Sequence, residues 1–245
     1  MARLPRLSLP GVAHLVLQRG HNAESIVRDQ QDVDHLLKVL REEALTNKLR
    51  LHGYSISGSL IGLLVTPTSA EGLSRMMQGL GRRYAAAFNR RHGRRGALWE
   101  GRFRSALVGP GEHLLTALRW IDGNLPAATA SPTGTPAAQD PLGARPSAGD
   151  LLQRSSLAHR CAGQRDPALV DPPEYWQLGN TPFERESRYR GLLAEQPAAT
   201  VQRELRAALQ GGWACGSPSF LAQLSQGTAR PLTPRPRGRP RSRAQ

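Results

Sequence analysis

Two short runs rich in β-branched and apolar side chains stand on either side of a two-residue break, and this pair constrains the fold most. The runs cover residues 50–57 and 60–66, with Gly58 and Ser59 between them. Such an arrangement predicts a β-hairpin, because glycine tolerates the backbone of a tight turn. Pro67 ends the second run, since proline cannot donate to a sheet ladder. An antiparallel sheet is therefore the starting point of the fold.

Helical and extended patterns alternate around this hairpin through the first 125 residues. The segments are 12–19 (strand), 32–46 (helix), 69–91 (helix), 98–108 (extended) and 112–121 (helix). The first helix carries apolar residues at intervals of three and four, namely Val33, Leu36, Leu37, Leu40 and Ala44. The second is expected to begin at a Ser69 cap and to bury Leu73, Met76, Leu80, Tyr84 and Phe88. This order predicts an α+β fold, a ferredoxin-like antiparallel sheet with helices packed on it.

A change of composition at Pro126 divides the chain. Residues 126–149 are rich in alanine, proline, threonine, serine and glycine, so we expect a flexible linker or insertion. Two short amphipathic patterns follow, the second ending at Gly211, and they predict a small C-terminal helical region. The predicted parts are residues 1–125, 126–149, 150–228 and a disordered basic tail over 229–245.

The charge of the chain indicates its kind of partner. Lysine and arginine number 33 against 19 acidic residues, which gives a formal net charge of +14. A polyanion is the expected partner. The sequence has no apolar stretch of about 20 residues that would span a bilayer, and prolines interrupt its first residues, so we expect neither a membrane span nor a signal peptide. A cytoplasmic, nucleoid-associated location follows as a prediction.

Cysteine and histidine spacing predicts no metal site. Cys161 and Cys215 lie far apart without neighbouring ligands, which favours two reduced thiols over a disulfide or a zinc site. The seven histidines include no alternating pair and no pair four residues apart. His52 stands on a predicted strand, where a lone histidine is more often structural than a ligand.

The densest basic cluster lies between residues 82 and 104. Its arginines are Arg82, Arg83, Arg90, Arg91, Arg94, Arg95, Arg102 and Arg104. Such density is repulsive unless an anion compensates it, so it predicts a phosphate-binding surface. A solvated helix face followed by a loose basic loop is the alternative. Arginines beside Trp99 and Phe103 are also suited to stacking on exposed bases.

A second basic segment closes the chain. Residues 230–243 contain six arginines, four prolines and no acidic residue. Glycine and proline keep this backbone slim, which suits a narrow DNA minor groove. The predicted contacts are Arg235, Arg237, Arg239 and Arg241. A nonspecific basic tail is the alternative.

Several stretches together resemble a known family of bacterial proteins. They are LPRLSLPGVAHLVLQRG, LHGYSISGSLIGLLVTP, GLSRMMQGLGRRYAAAFNRRHGRRGALWEGRFRSALV, LRWIDGN and PRPRGRPR. In these stretches the chain resembles the REP-associated tyrosine transposases, which belong to the single-tyrosine HUH superfamily of insertion-sequence-200-like transposases. The resemblance runs from about residue 3 to 125, resumes near 151 and includes the GGWACGS stretch and the tail. It implies a ferredoxin-like transposase domain over residues 1–125 that recognises imperfectly palindromic DNA hairpins.

The same resemblance implies a chemistry whose groups are replaced in this chain. The family cuts single-stranded DNA through a 5′-phosphotyrosine, with Mg or Mn held by two histidines. Leu60 and Gly62 stand where those histidines should be, and neither can bind a metal. Trp120 stands at the nucleophile position, and indole has no hydroxyl. Asp122 and Asn124 keep the places of the acidic residue and the asparagine that follow the tyrosine.

We therefore predict a DNA-binding protein of transposase ancestry that binds hairpin or single-stranded palindromic DNA, needs no cofactor and has lost strand cleavage. Two alternatives remain open at this point. One is an active transposase with substitute groups such as His52 or Tyr84. The other is an RNA-binding module, because arginines and aromatic rings also suit structured RNA. Neither the DNA sequence nor the oligomeric state is predicted.

Overall fold

The strands and helices follow the predicted order, with further elements in the C-terminal part. The computed structural model describes residues 6–123, 154–195 and 197–234. The strands are β1 (Ala13–Arg19), β2 (Leu49–Ser57), β3 (Leu60–Pro67), β4 (Arg104–Val108) and β5 (Ala214–Cys215). The helices are α1 (Gln30–Thr46), α2 (Gly72–Arg91), α3 (Glu112–Gly123), α4 (Leu157–Cys161), α5 (Pro173–Trp176), α6 (Pro182–Ala194), α7 (Ala199–Gly211) and α8 (Pro218–Gln226).

Within the described residues, these strands form one sheet in the order β2-β3-β1-β4-β5. The β2–β3 hairpin and the β1–β3 and β1–β4 pairs are antiparallel. Strand β5 instead pairs in parallel with β4, through Leu107 opposite Ala214 and Val108 opposite Cys215. The α+β class is confirmed, and so is the antiparallel arrangement of the first four strands. The fifth strand was not predicted, because two residues show no measurable periodicity.

Successive side chains of the central strands point to opposite faces of the sheet, and both faces are buried. In β1, Val16 joins one apolar cluster, whereas Leu15 and Leu17 join another on the opposite face. Helices α1 and α2 cover the first face and contact each other. Helices α3, α6 and α7 contribute to the second cluster, so the C-terminal part shares a core with the first 123 residues.

A buried polar cluster centred on Asp122 joins α3 to the C-terminal helices. The guanidinium of Arg160, which has no exposed side-chain surface, lies 2.8 Å from Asp122 Oδ2 and 3.0 Å from Asp171 Oδ1. Tyr189 donates its hydroxyl to Asp122 Oδ2 at 2.7 Å, and Ser156 donates to Oδ1. Hydrogen bonds and opposite charge thus compensate both ions for the loss of water.

The segment around α4 also covers the open edge of strand β2. Ser156 N donates to Tyr54 O at 2.9 Å, and Val170 N donates to Leu51 O at 2.8 Å. An N–H of the second terminal guanidinium nitrogen of Arg160 donates to His52 O. These bonds occupy backbone groups that an uncovered edge strand would expose.

Two predicted boundaries are wrong. Helix α2 begins at Gly72 rather than Ser69, and its N-cap residue Glu71 makes no side-chain cap hydrogen bond, because the chain first turns after Pro67. The segment 98–108 is a regular strand only from Arg104 onward. Gly101 has a φ of 60°, which is incompatible with continuous strand geometry.

The first residues of the predicted basic tail, 229–234, lie within the described part of the chain. Over residues 229–234 the chain still packs on the protein, since Ala214 N donates to Leu232 O at 2.8 Å and Leu232 is buried. Arg230 donates to Gly212 O at 2.9 Å. The predicted linker at 126–149 lies outside the described residues, as does the remainder of the tail. No described helix is both long enough and apolar enough to cross a membrane.

Replacing Asp122 with alanine should lower the free energy of unfolding by about 3 to 5 kcal/mol, because the buried Arg160 would lose its closest carboxylate. Chemical denaturation measures this change. Glu186→Ala is the matched control: it removes a carboxylate from an exposed pair with Arg190, and about 0.5 kcal/mol or less is expected. Equal effects of the two variants would contradict a stabilising role for the Asp122 cluster.

Candidate nucleic-acid interface

Helix α2 carries much of the basic cluster, and its buried side fixes where the arginines point. Leu73, Met76, Leu80 and Tyr84 are buried against α1 and the sheet. The Tyr84 hydroxyl donates to Ile26 O at 2.6 Å, which anchors the helix further. With this stripe buried, the arginines of α2 lie on its remaining sides.

Three of the eight predicted arginines in this cluster are neutralised by carboxylates of neighbouring elements. Arg83 pairs with Glu42 and Glu43 of α1, and its Nη1 lies 2.9 Å from Glu43 Oε1. The other two pairings are Arg91 with Asp29 and Asp32, and Arg94 with Glu24. Carboxylates of the protein therefore compensate the charge of these three arginines, which need no external anion.

Asp32 is the most deeply placed of these carboxylates. Its side chain is 3% exposed and accepts from the Arg28 backbone N–H at 2.8 Å. His92 Nε2 lies 2.8 Å from it, and Arg91 pairs with the same group. Hydrogen bonding from Arg91 also lowers the pKa of the neighbouring Asp29 to about 2. These contacts tie the end of α2 to the beginning of α1.

The other five predicted arginines are exposed. Within the described parts of the chain, their side chains have no carboxylate or hydrogen-bond partner: Arg82, Arg90, Arg95, Arg102 and Arg104. They remain the basic groups of this cluster that are open to an external anion.

A pocket of about 450 Å³ is lined by one of these five arginines, Arg102. Met77 and Leu80 give it an apolar lining, and Trp99 and Phe103 add aromatic rings. Trp99 Nε1 donates to Gly81 O at 3.1 Å, which holds the indole in place. The polar and basic residues around the pocket are Arg6, Gln18, Ser74, Gln78 and Arg102. The arrangement combines ring faces, amide groups and positive charge.

Two basic residues of this surface were not predicted. Arg6 places its guanidinium 3.7 Å from the centroid of the Phe103 ring; nothing near it in the sequence signals that contact. Arg75 is exposed and lies two helical turns before Arg82, with the pocket residue Gln78 between them. The spacing of seven residues between Arg75 and Arg82 places both on one side of α2, and it could have predicted Arg75 from the sequence.

The positions that carry chemistry in the resembled family lie in the second apolar cluster. Leu60 and Trp120 are both buried there. Gly62 is buried between Leu17 of β1 and Ser55 of β2, on the same face of β3 as Leu60. Neither Leu60 nor Gly62 offers a side-chain donor atom, so these positions do not fit a divalent ion.

The remaining family positions divide between the core and the undescribed chain. Asp122 belongs to the buried cluster with Arg160 and Tyr189, where it has a structural role. Asn124 lies outside the described residues. The same holds for the four predicted tail contacts, Arg235, Arg237, Arg239 and Arg241.

The two candidate substitutes for the catalytic groups, His52 and Tyr84, are both engaged inside the protein. His52 Nδ1 lies 2.6 Å from Val170 O and therefore donates, leaving Nε2 to accept from Thr66 Oγ1 at 2.8 Å. Burial lowers the pKa of His52, which favours this neutral form. Burial raises the pKa of the Tyr84 hydroxyl, which points away from solvent toward Ile26 O.

No protein-family model and no curated protein sequence matches the chain. Among solved structures it is similar to a REP-associated tyrosine transposase bound to a REP hairpin, with a TM-score of 0.45, 12% identity and coverage of 71% of this chain and 93% of the other. It is also similar to a protein of Deinococcus radiodurans assigned as a transposase, with a TM-score of 0.34, 21% identity and coverage of 46% and 88%.

Neighbouring arginines at the end of α2 should differ in their effect on stability. Arg91→Ala removes one partner of the buried Asp32 carboxylate, which keeps the Arg28 N–H and His92, and a measurable loss in the free energy of unfolding is expected. Arg90→Ala, which removes the same charge from a side chain without a described partner, should change it by less than about 0.5 kcal/mol. Denaturant titration compares them, and similar losses would contradict the division between paired and open arginines.

Proposed function

We propose that this chain is a DNA-binding protein of transposase ancestry that holds hairpin or single-stranded DNA without cutting it. The observation that carries the proposal is the placement of exposed arginines without described partners beside an aromatic-lined pocket. Arg82 and Arg102 are such arginines, and Trp99 and Phe103 are the rings. Charge and ring faces together match the two recurrent features of single-stranded nucleic acid binding, a basic groove and a stacking platform.

The arginines supply the part of the affinity that does not depend on sequence. Arg82 lies on α2 one turn after Gln78 of the pocket, and Arg102 lines the pocket itself. Arg104 follows Phe103 at the beginning of β4. A DNA backbone along this path meets guanidinium groups that carry no internal ion pair among the described residues. Each phosphate neutralised there releases condensed counterions.

The pocket favours unpaired bases over a closed duplex. Its volume of about 450 Å³ lies within the range of small-molecule sites, about 300 to 1,000 Å³. Stacking requires a base to leave its own helix, which unpaired strands and hairpin loops allow at low cost. The indole of Trp99 and the face of Phe103 opposite Arg6 are the proposed stacking surfaces, and the exposed Gln78 offers an amide that can recognise a base edge.

Binding without cleavage is the proposed outcome because the residues at the chemical positions are apolar. A phosphotyrosine mechanism requires a hydroxyl nucleophile, and Trp120 has none. Leu60 and Gly62 provide no metal ligand. Binding through arginines and rings requires neither group. We extend the proposal to a cytoplasmic protein associated with the nucleoid and to minor-groove contacts from the four tail arginines.

The double variant Arg82→Ala/Arg102→Ala should weaken binding to a fluorescent DNA hairpin with a single-stranded flank. The slope of log affinity against log salt should become shallower by about 0.7 to 0.9 for each phosphate that is no longer neutralised. Fluorescence anisotropy over a salt series measures both quantities. The matched control is Arg83→Ala/Arg94→Ala, which removes the same charge from arginines already paired with carboxylates.

The controls separate a specific surface from net charge alone. Equal weakening by both double variants would reject the assigned surface and leave only nonspecific attraction. Phe103→Leu, which keeps an apolar side chain but removes the ring, should reduce single-strand affinity by about tenfold and leave affinity for a closed duplex unchanged. Absence of any salt-sensitive complex would overturn the DNA assignment.

A second assay addresses cleavage and the choice of nucleic acid. Purified protein is incubated with labelled hairpin in the presence of Mg²⁺ or Mn²⁺, and denaturing gels are scored for a covalent adduct. We expect a retarded complex on native gels and no adduct. A metal-dependent adduct would establish the active-transposase alternative, and stronger binding to an RNA hairpin of equal sequence would establish the RNA-binding alternative.

A further inference from the structure

Three side chains that are far apart in the sequence meet beside the short edge strand β5. His113 comes from the first turn of α3, Glu204 from α7 and Cys215 from β5 itself. One ligand atom from each lies within 4.8 Å of the others. His113 Nε2 and Glu204 Oε2 are separated by 3.1 Å. A thiol, an imidazole and a carboxylate thus converge on one point.

The three groups differ in exposure, from a buried cysteine to a half-exposed glutamate. Cys215 is only 4% exposed, whereas the side chains of His113 and Glu204 are 15% and 48% exposed. The backbone holds the cysteine in place, because Gly109 N donates to Cys215 O at 2.7 Å and β5 pairs with β4. The cluster therefore has a fixed sulfur at its base and a movable carboxylate at its mouth, where an ion can enter.

We propose that His113, Glu204 and Cys215 form a site for a divalent transition metal, with Zn²⁺ the ion it fits best. Sulfur, nitrogen and oxygen donors are the ordinary ligands of zinc, at about 2.3, 2.0 and 2.1 Å. Ligand atoms around a tetrahedral ion then stand roughly 3 to 4 Å apart. The observed separations require a small inward movement, and the half-exposed Glu204 side chain has room to make it.

The donor set also determines which ions are excluded. Mg²⁺ and Ca²⁺ prefer oxygen ligands throughout, so a thiol and an imidazole select against them. With three protein ligands, the fourth position is open to water. Binding replaces the thiol proton, which passes to solvent as the sulfur becomes a thiolate ligand.

The site would connect elements that are distant in the chain. Strand β5 has only two residues, and the metal would tie it to α7 and to the beginning of α3. Leu60 and Gly62, the metal positions of the resembled family, do not take part. Metal binding here does not depend on DNA binding, so failure of either proposal leaves the other standing.

Cobalt(II) titration of the full chain without a polyhistidine tag provides the test. One equivalent of Co²⁺ should produce a thiolate-to-cobalt absorption band that added Zn²⁺ abolishes and Mg²⁺ does not. Cys215→Ser should lose the band, and Glu204→Gln should weaken binding about tenfold or more. Cys161→Ser, which replaces the other buried cysteine, is the matched control and should retain full binding.

Thermal unfolding gives a second readout that does not depend on absorption. Zn²⁺ should raise the midpoint of the wild-type chain and of Cys161→Ser, and at the same Zn²⁺ concentration it should raise that of Glu204→Gln less. The Glu204 side chain is 48% exposed, so it can be replaced without disturbing the core. A Co²⁺ band that survives Cys215→Ser, or no binding of Co²⁺ or Zn²⁺ at micromolar concentrations, would overturn the proposal. If Cys215→Ser fails to fold, Glu204→Gln alone decides it.

Discussion

The buried pair of Asp122 and Arg160 is the interaction on which the arrangement of the C-terminal half depends. Each ion is removed from water, so each requires the other and further polar partners. Tyr189 and Ser156 donate to Asp122, and Asp171 adds a second carboxylate beside Arg160. Because these groups come from α3, α4, α6 and the loop between α4 and α5, the pair specifies how the C-terminal helices sit on the second face of the sheet.

Charge compensation also divides the arginines of residues 82–104 into those with a described carboxylate partner and those without one. Acidic residues of α1 and the loops before it neutralise Arg83, Arg91 and Arg94 and thereby fasten the two helices together. Arg82 and Arg102 have no such partner among the described residues and lie beside an aromatic-lined pocket. The same residue type thus stabilises the fold on one side and is available to bind an anion on the other.

The second apolar cluster includes two positions that the sequence resemblance assigns to chemistry. Leu60 and Trp120, which the sequence resemblance aligns with polar groups of that family, are buried in this cluster. Apolar packing there adds stability through burial. The proposed nucleic-acid surface includes α2 and the beginning of β4, so its arginines do not depend on what occupies those core positions.

Local patterns were sufficient for the elements of the first half. The apolar positions predicted for α1 and α2 are all buried, from Val33 to Ala44 and from Leu73 to Phe88. The β2–β3 hairpin and the end of α7 at Gly211 are also confirmed. Periodicity failed where the element was too short to show more than one repeat, as in β5, and where a turn intervened, as before Gly72.

By itself, the sequence determined the α+β class, the main helices and strands, the excess of positive charge and the positions of the arginines. Those properties depend on residues close together in the chain. Only the tertiary structure decided which arginines are paired, how Arg6 reaches the Phe103 ring, and that Cys215 lies beside His113 and Glu204. Arg83 and Glu43 are 40 positions apart, and His113 and Glu204 are 91 apart. No local pattern encodes such contacts before the core brings the residues together.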